Sequence, residues 1–114
     1  MLWQLPPTLA RDDGRLRSFL VALDGAVRNV VEFRHRSWWH PDVYALLREH
    51  HVAICLVDMP GFRSPVVTTT DFTYVRFHGP GERYSGAYDR ETLTSWTMHL
   101  GECAHQWHTL YAYF

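Results

Sequence analysis

Lysine is absent: all 11 cationic side chains are arginine, so every permanent positive charge available to a site is a planar guanidinium fork suited to carboxylate or phosphate. Net charge is nearly absent as well. At -1 with a pI near 6.7, the chain has no general pull toward nucleic acid or an anionic membrane, and any anion it binds must be held by local geometry. Cysteine is scarce. Cys55 and Cys103 stand alone without metal-ligand spacing, which points to reduced, packed thiols and a cytoplasmic protein. No apolar run reaches the length of a membrane span, and Met-Leu-Trp-Gln-Leu-Pro-Pro at the start lacks the charged opening and apolar centre of a secretion signal. Aromatic residues, by contrast, are plentiful at 15%, with Trp3, Trp38, Trp39, Trp96 and Trp107 among them, and 114 residues suffice for one packed domain.

Punctuation and periodicity divide the chain. Leu2 to Leu5 reads as a short strand ended by Pro6 and Pro7. Asp12 or Asp13 can cap a helix in which Leu16, Phe19, Leu20 and Leu23 recur at helical spacing through about Ala26. A strand over Val30 to His35 follows, then a helix with Pro41 as its first residue and Val43, Leu46, Leu47 and His50 on one face. Ala53 to Asp58 is a continuous apolar run with a carboxylate at its end, as expected of a strand covered on both faces. Residues 59 to 71 and 80 to 90 read as long loops that flank a strand over Phe72 to Gly79. Leu93, Trp96, Leu100, Cys103 and Trp107 mark a helix from Arg90 to about Gln106, and Thr109 to Phe114 a final strand. Alternating strands and helices with short crossovers call for a parallel sheet with right-handed connections. Ligands bind at the C-terminal strand ends of such sheets, and there the polar residues Gln4, Arg34, His35, Asp58 and His78 collect.

Two strands carry charge on one face. Alternation with period two sets Val30, Glu32 and Arg34 against Val31, Phe33 and His35, and sets Arg76 and His78 against Val75 and Phe77. With helices on the apolar face, the charged face lines an interior, where charge is costly unless paired or used.

The order Glu32-Phe33-Arg34-His35, Ser37-Trp38, Asp58 with Pro60, Tyr74-Val75-Arg76-Phe77-His78-Gly79, Tyr84 and Tyr111 to Phe114 resembles the YecE-like family, domain of unknown function 72. The resemblance implies an α/β fold, a (β/α)8 TIM-type barrel. It further implies that residues 1 to 114 are a partial domain corresponding to the fourth through eighth strands, with the N-terminal half missing. The family's activity is not established.

The residues themselves admit several roles. Glu32 and Arg34, about 7 Å apart along the strand, can form an internal ion network with Arg76. Alternatively, Glu32 or Asp58 serves as general acid or base, His78 does acid-base work or binds a metal, and Arg34 and Arg76 clamp an anion in forked geometry. Asp58 can also cap the loop that follows it. Trp38 reads as a loop anchor first and a ligand platform second; Tyr84 and Tyr88 can stack on a ring or close the loop. His35 supports its loop, and His99, His105 and His108 are surface histidines rather than a metal site. No cofactor is specified. Three classes follow: an enzyme acting by acid-base or hydrolytic chemistry on a phosphorylated or other small anionic substrate, a non-catalytic module binding an anion or nucleic acid, or an inactive fragment. In a partial barrel the inner face opens to solvent, Ile54 and Leu56 are uncovered, and the first and last strands expose edges through which copies self-associate.

Overall fold

The structure, a computed structural model, describes residues 1–78, 90–103 and 107–113. Tyr84, Tyr88, His105 and the side chain of Cys103 lie outside the described residues. Strands β1 (Leu2–Gln4), β2 (Val30–Glu32), β3 (Ala53–Met59), β5 (Phe72–Phe77) and β6 (Thr109–Tyr113) form one sheet in the order β1-β2-β3-β5-β6, parallel at every step. Helix α1 (Asp13–Ala22) connects β1 to β2, α2 (Pro41–Glu49) connects β2 to β3, and α3 (Arg90–Cys103) lies between β5 and β6.

All three helices pack on one face. Leu16 and Leu20 of α1, Val43, Leu46 and Leu47 of α2 and Trp96 of α3 share a core with Val31, Phe33, Ile54, Leu56, Val75 and Phe77. The opposite face carries Val30, Ala53, Cys55, Val57 and Phe72 with no helix residue among them. A doubly wound sheet reverses its strand order and covers both faces, whereas sequential strands with right-handed crossovers send every helix to one side, as in a barrel wall.

Local chemistry sets the boundaries. Asp12 caps α1 by accepting Arg15 N–H at 3.0 Å. The helix stops at Ala22 rather than near Ala26, because Leu23 is extended and the Asp24 side chain takes Ala26 N–H at 2.9 Å. Pro41 is the first residue of α2, with the His40 side chain accepting Asp42 N–H. Strand β2 ends at Glu32 rather than at His35, and a 3-10 turn at Arg36–Trp38 begins where the His35 ring accepts Ser37 N–H.

Two expectations need correction. The connection from β3 to β5, read as a loop, contains no helix but does hold a short antiparallel strand, β4 (Phe62–Arg63), that folds back on Asp58 and Met59. Pro60-Gly61 forms the corner, with Gly61 at φ 82°, the conformation a tight turn asks of glycine. Since β5 occupies one edge of Asp58, β4 takes the other, beyond the end of β2. Buried hydroxyls complete the crossover: Ser64 Oγ accepts Val57 N–H, and Thr69 Oγ1 accepts Ile54 N–H while donating to the Val52 carbonyl.

The second correction concerns the inner face. Ile54 and Leu56 belong to the helix-side core, because Leu56 is in register with Val75 and side chains alternate from there. Nor is the inner face open. Glu32, Cys55 and Val57 are each 0% exposed, with Trp39, Met59, Phe62, Tyr74 and Tyr111 packed around the apolar members.

Candidate functional site

The inner face bears the charge. Val31 and Phe33 face the helices, which turns Glu32 between them to the other side; Val75 and Phe77 do the same for Arg76, and His78 joins it there by reaching Glu32. The Glu32 carboxylate is fully buried and divides its oxygens between two partners on β5. Oε2 accepts from Arg76 Nη1 at 2.6 Å, and Oε1 lies 2.7 Å from His78 Nε2. Arg76 Nη1 also donates to Gln4 Oε1 at 3.4 Å, and Gln4 is the register partner of Glu32 on β1. Three strands thus contribute to one cluster at their C-terminal ends.

The hydrogen bonds assign protons. A carboxylate held by a guanidinium accepts and does not donate, so His78 Nε2 carries the hydrogen and, in the neutral ring, Nδ1 presents a lone pair. His78 is pinned from behind as well, its backbone N–H donating to the Asp58 carbonyl at 2.7 Å. Its side chain is 12% exposed and that of Arg76 30%, so the cluster has a solvent-facing rim above a buried base. Arg34 is half-buried, and its Nε is buried without a hydrogen-bond partner among the described residues.

Cys55 sits between these strands. Burial pushes its thiol well above the ordinary range, with the Glu32 charge adding to the effect and Arg76 opposing it. Burial likewise raises Tyr74, whose surroundings include Tyr113, Cys55, Arg76 and Glu32. Both groups are therefore neutral neighbours of the charged cluster.

Asp58 and Trp38 stand elsewhere. Asp58 is in register with Phe77 on the helix side, and its Oδ2 accepts the indole Nε1–H of Trp96. Trp96 is clasped by Phe77 edge-on at 5.5 Å and by the Arg63 guanidinium 4.5 Å above its ring. Trp38 is buried, stacks on Phe33 at 4.8 Å and donates to the Leu9 carbonyl at 2.8 Å. It is placed as an anchor for the loop. His35 accepts at Nδ1 from Ser37, whose Oγ in turn accepts Arg11 N–H. His99 and His108 are exposed, with His99 Nδ1 3.4 Å from Arg63 Nη2.

Sequence reasoning did not place Gln4, Trp96 or Arg63 around the strand-end carboxylates. Gln4 was legible as a polar residue at a strand's C-terminal end, but its partner is 72 residues away. Trp96 reads as a helix core position by its spacing, and nothing in that spacing announces Asp58.

These features define a class: a one-sided parallel α/β sheet with a buried carboxylate bridging an arginine and a histidine at the strand ends. The family model described as "Protein of unknown function DUF72" matches residues 1–114, and the chain belongs to that family. A DUF72 family protein from Thermotoga maritima has a crystal structure that matches with a TM-score of 0.81 at 28% identity, over 99% of this chain and 49% of that one. One from Enterococcus faecalis matches with a TM-score of 0.74 at 17% identity, over 100% and 52%. The chain spans about half the length of each of these proteins. No curated protein matches it. Among the described residues no helix is long and apolar enough to cross a membrane.

Proposed function

We propose that this chain supplies the anion-binding and proton-transferring part of a site at the C-terminal mouth of a parallel barrel, which acts on a small phosphorylated or otherwise anionic substrate. The observation that carries this reading is the buried Glu32, joined at once to Arg76 and His78. A buried ion cluster is a poor device for stability, because apolar residues of similar volume would serve as well or better. It is a good device for holding an imidazole in one tautomer and orientation. In this reading Glu32 positions His78, and His78 Nδ1 takes a proton from a water or a substrate hydroxyl and returns it to the leaving group. Arg76 pairs with Glu32 while presenting its remaining N–H groups to the rim. Arg34, with its unpartnered Nε, is the first anion ligand. Asp58 and Trp38 brace the strand ends from the helix side.

Titration calorimetry with inorganic phosphate tests the anion-binding part. Loss of one charge-assisted partner costs about 1.5–3 kcal/mol, so Arg34→Gln is expected to weaken phosphate binding about 10- to 100-fold, while Arg15→Gln on the exposed face of α1 leaves it unchanged. Equal affinity of wild type and Arg34→Gln would return the cluster to a structural ion network. Salt separates a pocket from a strand-binding surface, since backbone binding to nucleic acid falls steeply with ionic strength.

A further inference from the structure

An aromatic ladder climbs the inner face beside the charged cluster. Phe72 and Tyr74 of β5 face Tyr111 and Tyr113 of β6, with Tyr74 in register with Tyr111 and Arg76 with Tyr113. Phe72 meets Tyr111 edge-on at 6.4 Å, Tyr74 lies 6.1 Å from Tyr111, and Tyr74 stacks on Tyr113 at 4.9 Å with ring planes 16° apart. Cross-strand aromatic pairs stabilise sheets, and the lower rungs do only that: Phe72 is buried, and the Tyr111 hydroxyl accepts from Arg28 at 3.2 Å. The top rung differs on two counts. Tyr113 is 52% exposed, and no described residue hydrogen-bonds its hydroxyl. A flat ring, already pre-ordered by stacking on Tyr74, is thereby offered at the level of Arg76.

We propose that the anion held at Arg34 and Arg76 belongs to a nucleotide unit whose base stacks on Tyr113. This inference rests on the anion-binding reading above and names its substrate class. Arg34 follows the end of β2, three strand spacings from β6 and Tyr113, about 14 Å between backbones, a gap that side chains as long as arginine and tyrosine can reduce to the span of a base and a phosphate joined by a sugar. An inorganic anion or a short acid would engage Arg34 and leave Tyr113 idle. Aromatic stacking on a base is tolerant of base identity and typically strengthens binding by tenfold or more, so it suits a site that sorts nucleotides from sugar phosphates without reading the base.

Two sources share this chemistry, a free nucleotide and a nucleotide within a single strand. Calorimetry on the protein with adenosine 5′-monophosphate, ribose 5-phosphate and a single-stranded oligoadenylate distinguishes them. Adenosine 5′-monophosphate is expected to bind at least about tenfold more tightly than ribose 5-phosphate. Tyr113→Leu should abolish that preference without altering ribose 5-phosphate, and Tyr113→Phe should retain it. An oligoadenylate that binds more tightly still, with a steep salt dependence, would support the nucleotide unit and assign it to a strand. If wild type binds both small ligands equally and Arg34→Gln weakens both, the stacking inference is overturned while the anion site stands. Absence of binding by all three overturns both. Equal weakening of both small ligands in Tyr113→Leu would show a sheet contact rather than a platform, and would also overturn the inference.

Discussion

Glu32 is the residue on which the inner face depends. With 0% exposure it is met at both oxygens, by Arg76 and His78, and removal of one partner leaves a buried charge incompletely matched. Breaking a fully buried pair costs about 3–5 kcal/mol; the Arg76 side chain is 30% exposed, so Arg76→Met is expected to destabilise by a smaller amount, about 2–3 kcal/mol, in urea unfolding. Glu32→Gln in the Arg76→Met background should recover part of that loss, because a neutral amide no longer requires the cation. A double-mutant cycle with no coupling between these positions would contradict the pairing. The alternation of Glu32 with Val31 and Phe33 was legible in the chain, as was that of Arg76 and His78 with Val75 and Phe77. The specific bridge across 44 and 46 residues was not, since it requires β2 and β5 to flank β3.

At the scale of elements, α1 shows a cap and an ion pair working together. Asp12 accepts Arg15 N–H, and Asp13, the first helical residue, receives a forked pair of bonds from Arg11 at 2.8 Å each. The Arg11 guanidinium holds the Asp13 carboxyl below its ordinary value of 3.8, and Asp13 in turn holds Arg11 in its charged form. A depressed folded-state value means stability that is present above pH 4 and lost as pH falls through the folded value. Stability is therefore expected to decline below about pH 4, and Asp13→Asn should flatten that acid slope in a series of unfolding curves. An unchanged slope would assign the acid sensitivity to other carboxylates. The helices were readable from caps and periodicity, and Pro41 was read correctly as a first helical residue. Strand β4 escaped because two residues carry no periodicity; its only local signal is Pro60-Gly61, a turn pair that equally suits an irregular loop.

The whole molecule is a sheet covered by helices on one side, and among the described residues β1 and β6 each pair with one neighbour. Along β6, Leu110 and Tyr113 are exposed and no residue is charged, so this edge carries none of the usual defences against strand addition. We propose that the 114-residue polypeptide self-associates through it. Sedimentation velocity at micromolar concentration should detect species larger than a monomer, and Leu110→Lys should shift the distribution toward monomer. A compact monomer throughout the concentration range would count against edge pairing. The burial of Cys55, Val57 and Glu32 on the inner face already shows that this face is better covered than an open half-barrel would suggest.

By itself the sequence determined the order of the five parallel strands and three helices, the faces on which Phe33 and Phe77 lie, and the resemblance that the family match bears out. Those are properties of local spacing, which a chain carries whether or not it is folded. Only the tertiary structure decided that Ile54 and Leu56 face the helices, that Asp58 turns to Trp96 while Glu32 takes Arg76 and His78, and that the crossover after β3 is pinned by Ser64 and Thr69. Each of those outcomes depends on the register between strands separated by long connections. A one-residue slip in that register would carry every side chain of a strand to the other face, and no neighbour in the sequence records which choice was made.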